Sequence, residues 1–203
     1  TEATSLTLVP ATKMLAKGRA VIKFSGRYRT ITSNGIPTHR VGAFPNAGNP
    51  HKIKPQSHKF SVAYIPRKAF RTKKLGMDIL MGVAVNGIPF DPMAAEFYLG
   101  NHKGWQYNAL SGAIPLGLDA NYAHVQPSGA YHYHGLPTGL IAKLGANSEL
   151  LLIGWAADGF PIYASSAAQK MRSSYQLKKG QRPKGNRGPG GDYDGTFTAD
   201  YEY

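Results

Sequence analysis

Apolar and polar side chains alternate along Ala20–Thr32 (AVIKFSGRYRTIT), the period of a half-buried strand or hairpin. Phe60–Ile65 and Ile79–Val85 predict further strands. Glu149–Ala157 predicts a buried one, because Leu150–Ala157 is the longest apolar run in the chain. Ser33–Pro55 is too dense in Gly, Pro and Asn for regular structure. Pro92–Tyr98 (PMAAEFY) has the pattern of a short helix, with Asp91 as N-cap and proline at the first helical position. Ser165–Arg172 predicts a second short helix.

One pattern occurs twice. Met81–Pro92 (MGVAVNGIPFDP) and Ile153–Ala164 (IGWAADGFPIYA) align without gaps, and each places an Asn-Gly or Asp-Gly pair behind a strand. Such pairs are strong short-range hairpin signals. Ser33–Pro37 (SNGIP) is a shorter third version. The expected fold is mainly β: a single compact domain of short antiparallel strands and hairpins, with one or two short helices and an internally duplicated β unit. That domain would span residues 1–172. Residues 173–203 begin with Ser173–Gly191 (SSYQLKKGQRPKGNRGPGG), which reads as a basic Gly/Pro-rich loop or tail.

Composition agrees. With 24 glycines and 14 prolines in 203 residues and only 17% charged residues, many turns are favoured over long helices. The net charge of +13 attracts polyanions without choosing among them. Nucleic acid is the least supported of these partners, because no recognition-helix or aromatic RNA-binding motif accompanies the charge. There is no cysteine, so disulfides and thiolate metal sites are excluded. No apolar run approaches membrane-spanning length.

The chemistry concentrates in Ala123–Gly135, which holds three of the seven histidines. As a strand, Tyr131-His132-Tyr133-His134 puts both histidines on one face and both tyrosines on the other. Pro127-Ser128-Gly129 suits a three-residue hairpin loop. That register pairs Gln126 with Ala130, Val125 with Tyr131 and His124 with His132, so all three imidazoles share a face. Side chains opposed across strands have Cβ atoms about 5 Å apart, close enough for three nitrogens to converge on one ion. An all-imidazole set favours Zn²⁺ or Cu²⁺ over Ca²⁺ or Mg²⁺. The alternative is that these are packing histidines bonded to backbone or tyrosine.

His39 is a candidate fourth ligand or acid/base. His51, His58 and His102 lie near lysines and are expected to be exposed. Asp158 is expected in its hairpin turn for backbone reasons, and Asp192 and Asp194 to be solvated in a loop. No Walker loop, Gly-x-Ser-x-Gly elbow, His-Glu-x-x-His or dinucleotide fingerprint occurs.

Several segments together resemble the YHYH-domain family of exported, largely bacterial proteins. They are SNGIPTHRVGAFPNAGNP (Ser33–Pro50), VNGIPFDP (Val85–Pro92), HVQPSGAYHYHGLPTG (His124–Gly139), DGFPIYA (Asp158–Ala164) and RPKGNRGPGGDYDGTFTADYEY (Arg182–Tyr203). The resemblance implies a periplasmic, cell-surface or secreted location and implies no particular reaction. Family members continue beyond the DYEY-like segment, and Ala199–Tyr201 (ADY) echoes Ala120–Tyr122 (ANY). A C-terminal segment that is missing, cleaved or supplied by a second chain is therefore expected.

Two functions follow as expectations. One is an exported metal-binding protein using His124, His132 and His134, with a metal-dependent hydrolase as the first enzymatic reading. The other is an extracellular polyanion- or polysaccharide-binding module, or a self-assembling structural one, using Lys178, Lys179, Arg182, Lys184 and Arg187.

Overall fold

The computed structural model describes residues 5–15, 17–71, 76–77, 80–145, 150–165 and 171–203. Its first strands are β1 (Ala20–Ser25), β2 (Tyr28–Ser33), β3 (His58–Ala63), β4 (Gly82–Ala84) and β5 (Pro89–Phe90). Next come β6 (Met93–Phe97), β7 (Gln106–Asn108), β8 (Ala123–Val125) and β9 (Tyr131–Tyr133). Helix α1 (Thr138–Leu144) precedes β10 (Leu150–Ala156), β11 (Pro161–Ser165), β12 (Gln176–Leu177) and β13 (Tyr201–Glu202). The protein is mainly β, as its alternating patterns predict. Among the described residues no helix is long and apolar enough to cross a membrane.

The chain divides into two compact units. The larger comprises residues 8–92 and 117–170 and holds a six-stranded sheet of order β11-β10-β4-β5-β9-β8. At its centre the two repeats pair with each other. β4 and β10 are antiparallel, with Gly82 opposite Ala156, Val83 opposite Trp155 and Ala84 opposite Gly154. Equivalent positions lie 72 residues apart, so this register is its own mirror under exchange of the copies: a local two-fold axis passes through the Val83–Trp155 pair. The turns obey it too. Gly87 N–H donates to the Ala84 carbonyl and Gly159 N–H to that of Ala156, each at 2.8 Å. Asn86 and Asp158 each accept from the amide two residues on, at 3.3 Å. Gly87 and Gly159 hold φ of 74° and 95°, where a Cβ would be strained. Asn34 and Gly35 repeat the turn a third time.

A second sheet, β1-β2-β3, carries the Ala20–Thr32 hairpin. Its Ile31 and Val62 pack with Val83 and Trp155 of the first sheet. The main core, on Ile88, Phe90, Val125, Tyr131, Tyr133, Leu140 and Ile153, lies around the histidine hairpin.

In the smaller unit, residues 93–116 and 171–203, with 5–7, contain the β6–β7 and β12–β13 pairs. Phe197 is its centre, ringed by Tyr98, Trp105 and Tyr107 at centroid distances of 6.0, 5.7 and 4.7 Å.

One expectation differs from the structure. Pro92–Tyr98 is not a helix: Met93–Phe97 is strand β6, followed by a single 3-10 turn at Tyr98–Gly100. A helix of seven residues has little stability of its own, so tertiary contacts decide whether it forms. Gln106 settles the pairing by donating Nε2–H to the Ala94 carbonyl at 2.7 Å. The helix lies instead at Thr138–Leu144. Its first turn is capped from afar, because Asn121 Oδ1 accepts from Gly139 N–H at 2.8 Å. The helix expected at Ser165–Arg172 falls mostly outside the described residues; Ser165 itself ends β11.

Residues 171–203 fall in the smaller unit. Arg182, a polyanion-binding candidate, is buried. Its Nε and Nη2 clasp Asp200 at 2.8 and 2.6 Å, Nη2 also pairs with Asp194, and the guanidinium lies 5.0 Å over Phe197. A bidentate carboxylate and an aromatic face together offset the cost of burying the charge.

Candidate metal centre

The histidine hairpin has the register that its loop chemistry predicts. Gly129 takes φ of 91°, Gln126 N–H donates to the Ala130 carbonyl at 2.9 Å, and Gly129 N–H to that of Gln126 at 2.8 Å. Ala123 then faces Tyr133, His124 faces His132, and Val125 faces Tyr131. β9 is also held from its other edge, where Asp91 N–H donates to the Tyr133 carbonyl at 2.9 Å.

The three imidazoles form an equilateral triangle: every pair of centroids is 4.7 Å apart. One nitrogen from each lies within 4.8 Å of the other two. The Nε2 atoms of His132 and His134 are 3.0 Å apart. Two nitrogens bound tetrahedrally to one ion at about 2.0–2.1 Å stand about 3.3 Å apart, so the pair needs little adjustment to share one. His132 and His134 are buried, and His124 half-buried.

Burial pushes the His132 pKa well below the ordinary imidazole value, and the neighbouring rings of His134 and His124 lower it further. His134 is pushed down to about 3, mainly by burial, then by His124, with the Pro92 backbone opposing. Both rings are therefore neutral at physiological pH and keep a lone pair for a metal. Their protons can be placed. The Ala130 carbonyl only accepts, so His132 carries its hydrogen on Nδ1, 3.4 Å away. Without an ion, its bare Nε2 then accepts from His134 Nε2–H. His134 Nδ1 is buried and makes no hydrogen bond of good geometry, although the Pro92 backbone lies close enough to raise the ring's pKa.

The opposite face of the hairpin is a closed network. Tyr131 donates to Asp119 at 2.8 Å and accepts from Asn121 at 3.2 Å. Asp119 also accepts from the amides of Gly42 and Asn121, both at 2.9 Å. Tyr133 is held by His39 Nε2 at 2.6 Å and by Asn86 Nδ2 at 2.9 Å. His39 Nδ1–H donates to the Arg40 carbonyl at 2.8 Å, so its Nε2 accepts from the tyrosine. His39 is thus on the tyrosine side and does not join the triad. Burial lowers its pKa, against smaller raising effects from Arg40 and Asp119. Asp119 and Asn121 did not stand out in the sequence, and Asn86 did so only for its turn. Asp119 and Asn86 each accept from the amide two residues on.

The remaining candidates scatter. His58 is half-buried rather than exposed, its ring 5.4 Å from that of Phe60, and burial lowers its pKa. His51 is half-buried too, while His102 is exposed. Asp158 caps its turn as expected, whereas Asp194 pairs with Arg182 instead of lying solvated. Lys178 donates to the Ala199 carbonyl at 2.8 Å; Lys179, Lys184 and Arg187 stay exposed.

A family model described as YHYH protein matches residues 59–203, well over half of the chain. The chain belongs to the YHYH family. The match takes in the triad, both copies of the repeat and all of residues 171–203, and leaves Ser33–Pro50, with His39, outside it. No curated protein and no solved structure matches the chain. The four residues that give the family its name, Tyr131–His134, thus supply one face of a core network and two corners of a histidine triangle.

Proposed function

We propose that this YHYH protein binds one divalent transition-metal ion, Zn²⁺ or Cu²⁺, through His124, His132 and His134. The observation that carries the reading is the convergence of three imidazole nitrogens within 4.8 Å, two of the rings buried and neutral. Donors of this kind suit zinc or copper and are poor ligands for calcium or magnesium. Three protein ligands leave a coordination position for water or substrate, the arrangement of metal-assisted hydrolysis. The family resemblance supports an exported setting. Elemental analysis of protein purified without a metal-affinity tag tests the reading. About one zinc or copper per chain is expected, and none in a His132→Ala/His134→Ala variant. A metal-free wild type, even after incubation with either ion, overturns it.

A second reading, recognition of an acidic polysaccharide, is favoured by a recess of about 480 Å³ in the smaller unit. Lys103 and Arg187 line it beside Trp105 and Tyr98, a combination of cations and aromatic faces suited to charged sugars. Its mark is binding that weakens steeply with salt; a salt-independent affinity for a polyuronate contradicts it.

A further inference from the structure

The positive charge is unevenly placed along the chain. Fifteen of the 24 Lys and Arg residues fall in residues 3–77, and none of the 11 Asp and Glu residues does, so the remainder is slightly acidic. The basic stretch contains sheet β1-β2-β3. One face of that sheet meets the core through the row Ile22, Ile31 and Phe60. The next row, Val21, Thr32 and Lys59, points the other way. At this end of the sheet lies a recess of about 570 Å³, lined by Lys17, Arg19 and Lys59 with the hydroxyl residues Thr32 and Ser57. All three cations are exposed, and no carboxylate is among the described residues around them. The ion pairs among the described residues are both made by Arg182, in the smaller unit.

The rim of the recess is fixed by its backbone. Asn34 Oδ1 accepts from the Arg19 amide at 2.9 Å, and Asn34 Nδ2 donates to the Lys17 carbonyl at 2.8 Å. Lys17 is held at a φ of 64°, which side chains rarely adopt. Gly18 lies so close to Ile36 that a Cβ would stand 2.4 Å from its carbonyl oxygen. Lys17 and Arg19 thus enter from the β1 side and Lys59 from β3, with β2 between them. Neighbouring strands are about 4.8 Å apart, so long side chains on the two edge strands can close on one anion from both sides.

We propose that this recess binds the sulfate or phosphate monoesters of a polysaccharide. A monoester presents three terminal oxygens, one for each cation, where a carboxylate or a phosphodiester presents two. Thr32 and Ser57 offer their hydroxyls to the sugar. The one aromatic residue among those lining the recess, His58, is half-buried beside Phe60, so a nucleic acid finds little on which to stack its bases. The site depends neither on the metal nor on the recess beside Trp105.

Dextran sulfate, dextran phosphate and carboxymethyl dextran of matched length and charge density test this by calorimetric titration of the full chain at low salt. An ester dextran is expected to bind at least about fivefold more tightly than the carboxymethyl one, and the tighter ester names the group. Lys17→Gln/Arg19→Gln/Lys59→Gln is expected to weaken that binding by about tenfold or more and to flatten its salt dependence. Lys13→Gln/Lys52→Gln/Lys68→Gln removes the same charge from exposed positions elsewhere in the basic stretch and is expected to cost less than about threefold. All six positions are exposed, and native thermal unfolding of both variants checks that each folds. Equal losses in the two variants overturn the proposal, leaving only a diffuse field. It is also overturned by no binding of either ester, by equal affinity for the carboxymethyl dextran, or by tighter binding of a single-stranded DNA of equal charge. A loss confined to Lys103→Gln/Arg187→Gln overturns it in favour of the smaller unit's recess.

Discussion

The two faces of the histidine hairpin have nearly the same backbone and opposite accounting. On the tyrosine face every hydroxyl both donates and accepts, through Asp119, Asn121, Asn86 and His39. On the histidine face the buried rings lean on one another, and one nitrogen of His134 makes no hydrogen bond of good geometry. A protein has no stability reason to gather three neutral imidazoles when a closed polar network or plain apolar packing is available from the same strands. The closed face holds the hairpin. The open face is the one where the proposed ion would sit.

Acid gives the largest expected effect. His132, His134 and His39 all have folded-state pKa values lowered by burial. The unfolded chain takes up protons below its ordinary value of about 6.5 while the folded one does not. Their contribution is therefore fully present above that pH and is lost as the pH falls toward the folded values. Metal-free protein is expected to lose roughly 2 kcal/mol from His134 alone between pH 7.5 and 5 in denaturant unfolding, with His132 and His39 adding in the same direction; a flat profile contradicts the burial of neutral rings. Asp119→Ala strands donors from Tyr131, Gly42 and Asn121. At about 1–3 kcal/mol each, it is expected to cost roughly 3–5 kcal/mol while leaving the metal content per folded chain unchanged. Tyr133→Phe separates the faces more finely, with a loss of about 1–3 kcal/mol from the orphaned His39 and Asn86 and no change in metal content. The repeats offer a further contrast. Asn86→Ala should destabilise by about 1–2 kcal/mol, because the side chain holds Tyr133 as well as its own turn, and Asp158→Ala by less than about 1 kcal/mol. The smallest effect on stability belongs to His124→Gln, within about 1 kcal/mol, but it should abolish stoichiometric metal. Metal retained in that variant would remove His124 from the site.

What the sequence disclosed and what it hid follow from distance along the chain. The register of the histidine hairpin is set by Pro127-Ser128-Gly129, a local matter of turn chemistry, and the triad followed from it. The hairpins at Asn86-Gly87 and Asp158-Gly159 were legible for the same reason. The partners of the tyrosine face were not: Gly42 meets Asp119 across 77 positions, and His39 meets Tyr133 across 94. Nothing in the histidine pattern told His39 apart from a ligand, because the strand face it reaches depends on those contacts. Helix α1 is capped by Asn121 from 18 positions away, so its start carries no cap of its own. β6 was mistaken for a helix because Asp91-Pro92 imitates a helix start, while the pairing that overrides it lies at Gln106–Asn108. Arg182 reads as one of several polyanion-binding cations because Asp194 and Asp200, which make its burial tolerable, are supplied by the fold rather than by adjacent sequence.

The pairing of the repeats also orders events in time. Each Asn-Gly or Asp-Gly hairpin closes over a handful of residues and can form within microseconds of collapse. Joining β4 to β10 demands that some seventy intervening residues first give up their freedom, and that closure is entropically steep before it is rewarded. The histidine hairpin lies inside this loop, and β9 docks on β5 at its centre. The imidazole triangle, set by its own local turn, can form before that loop is sealed. A nascent chain that has emitted only its first repeat has no such triangle to offer.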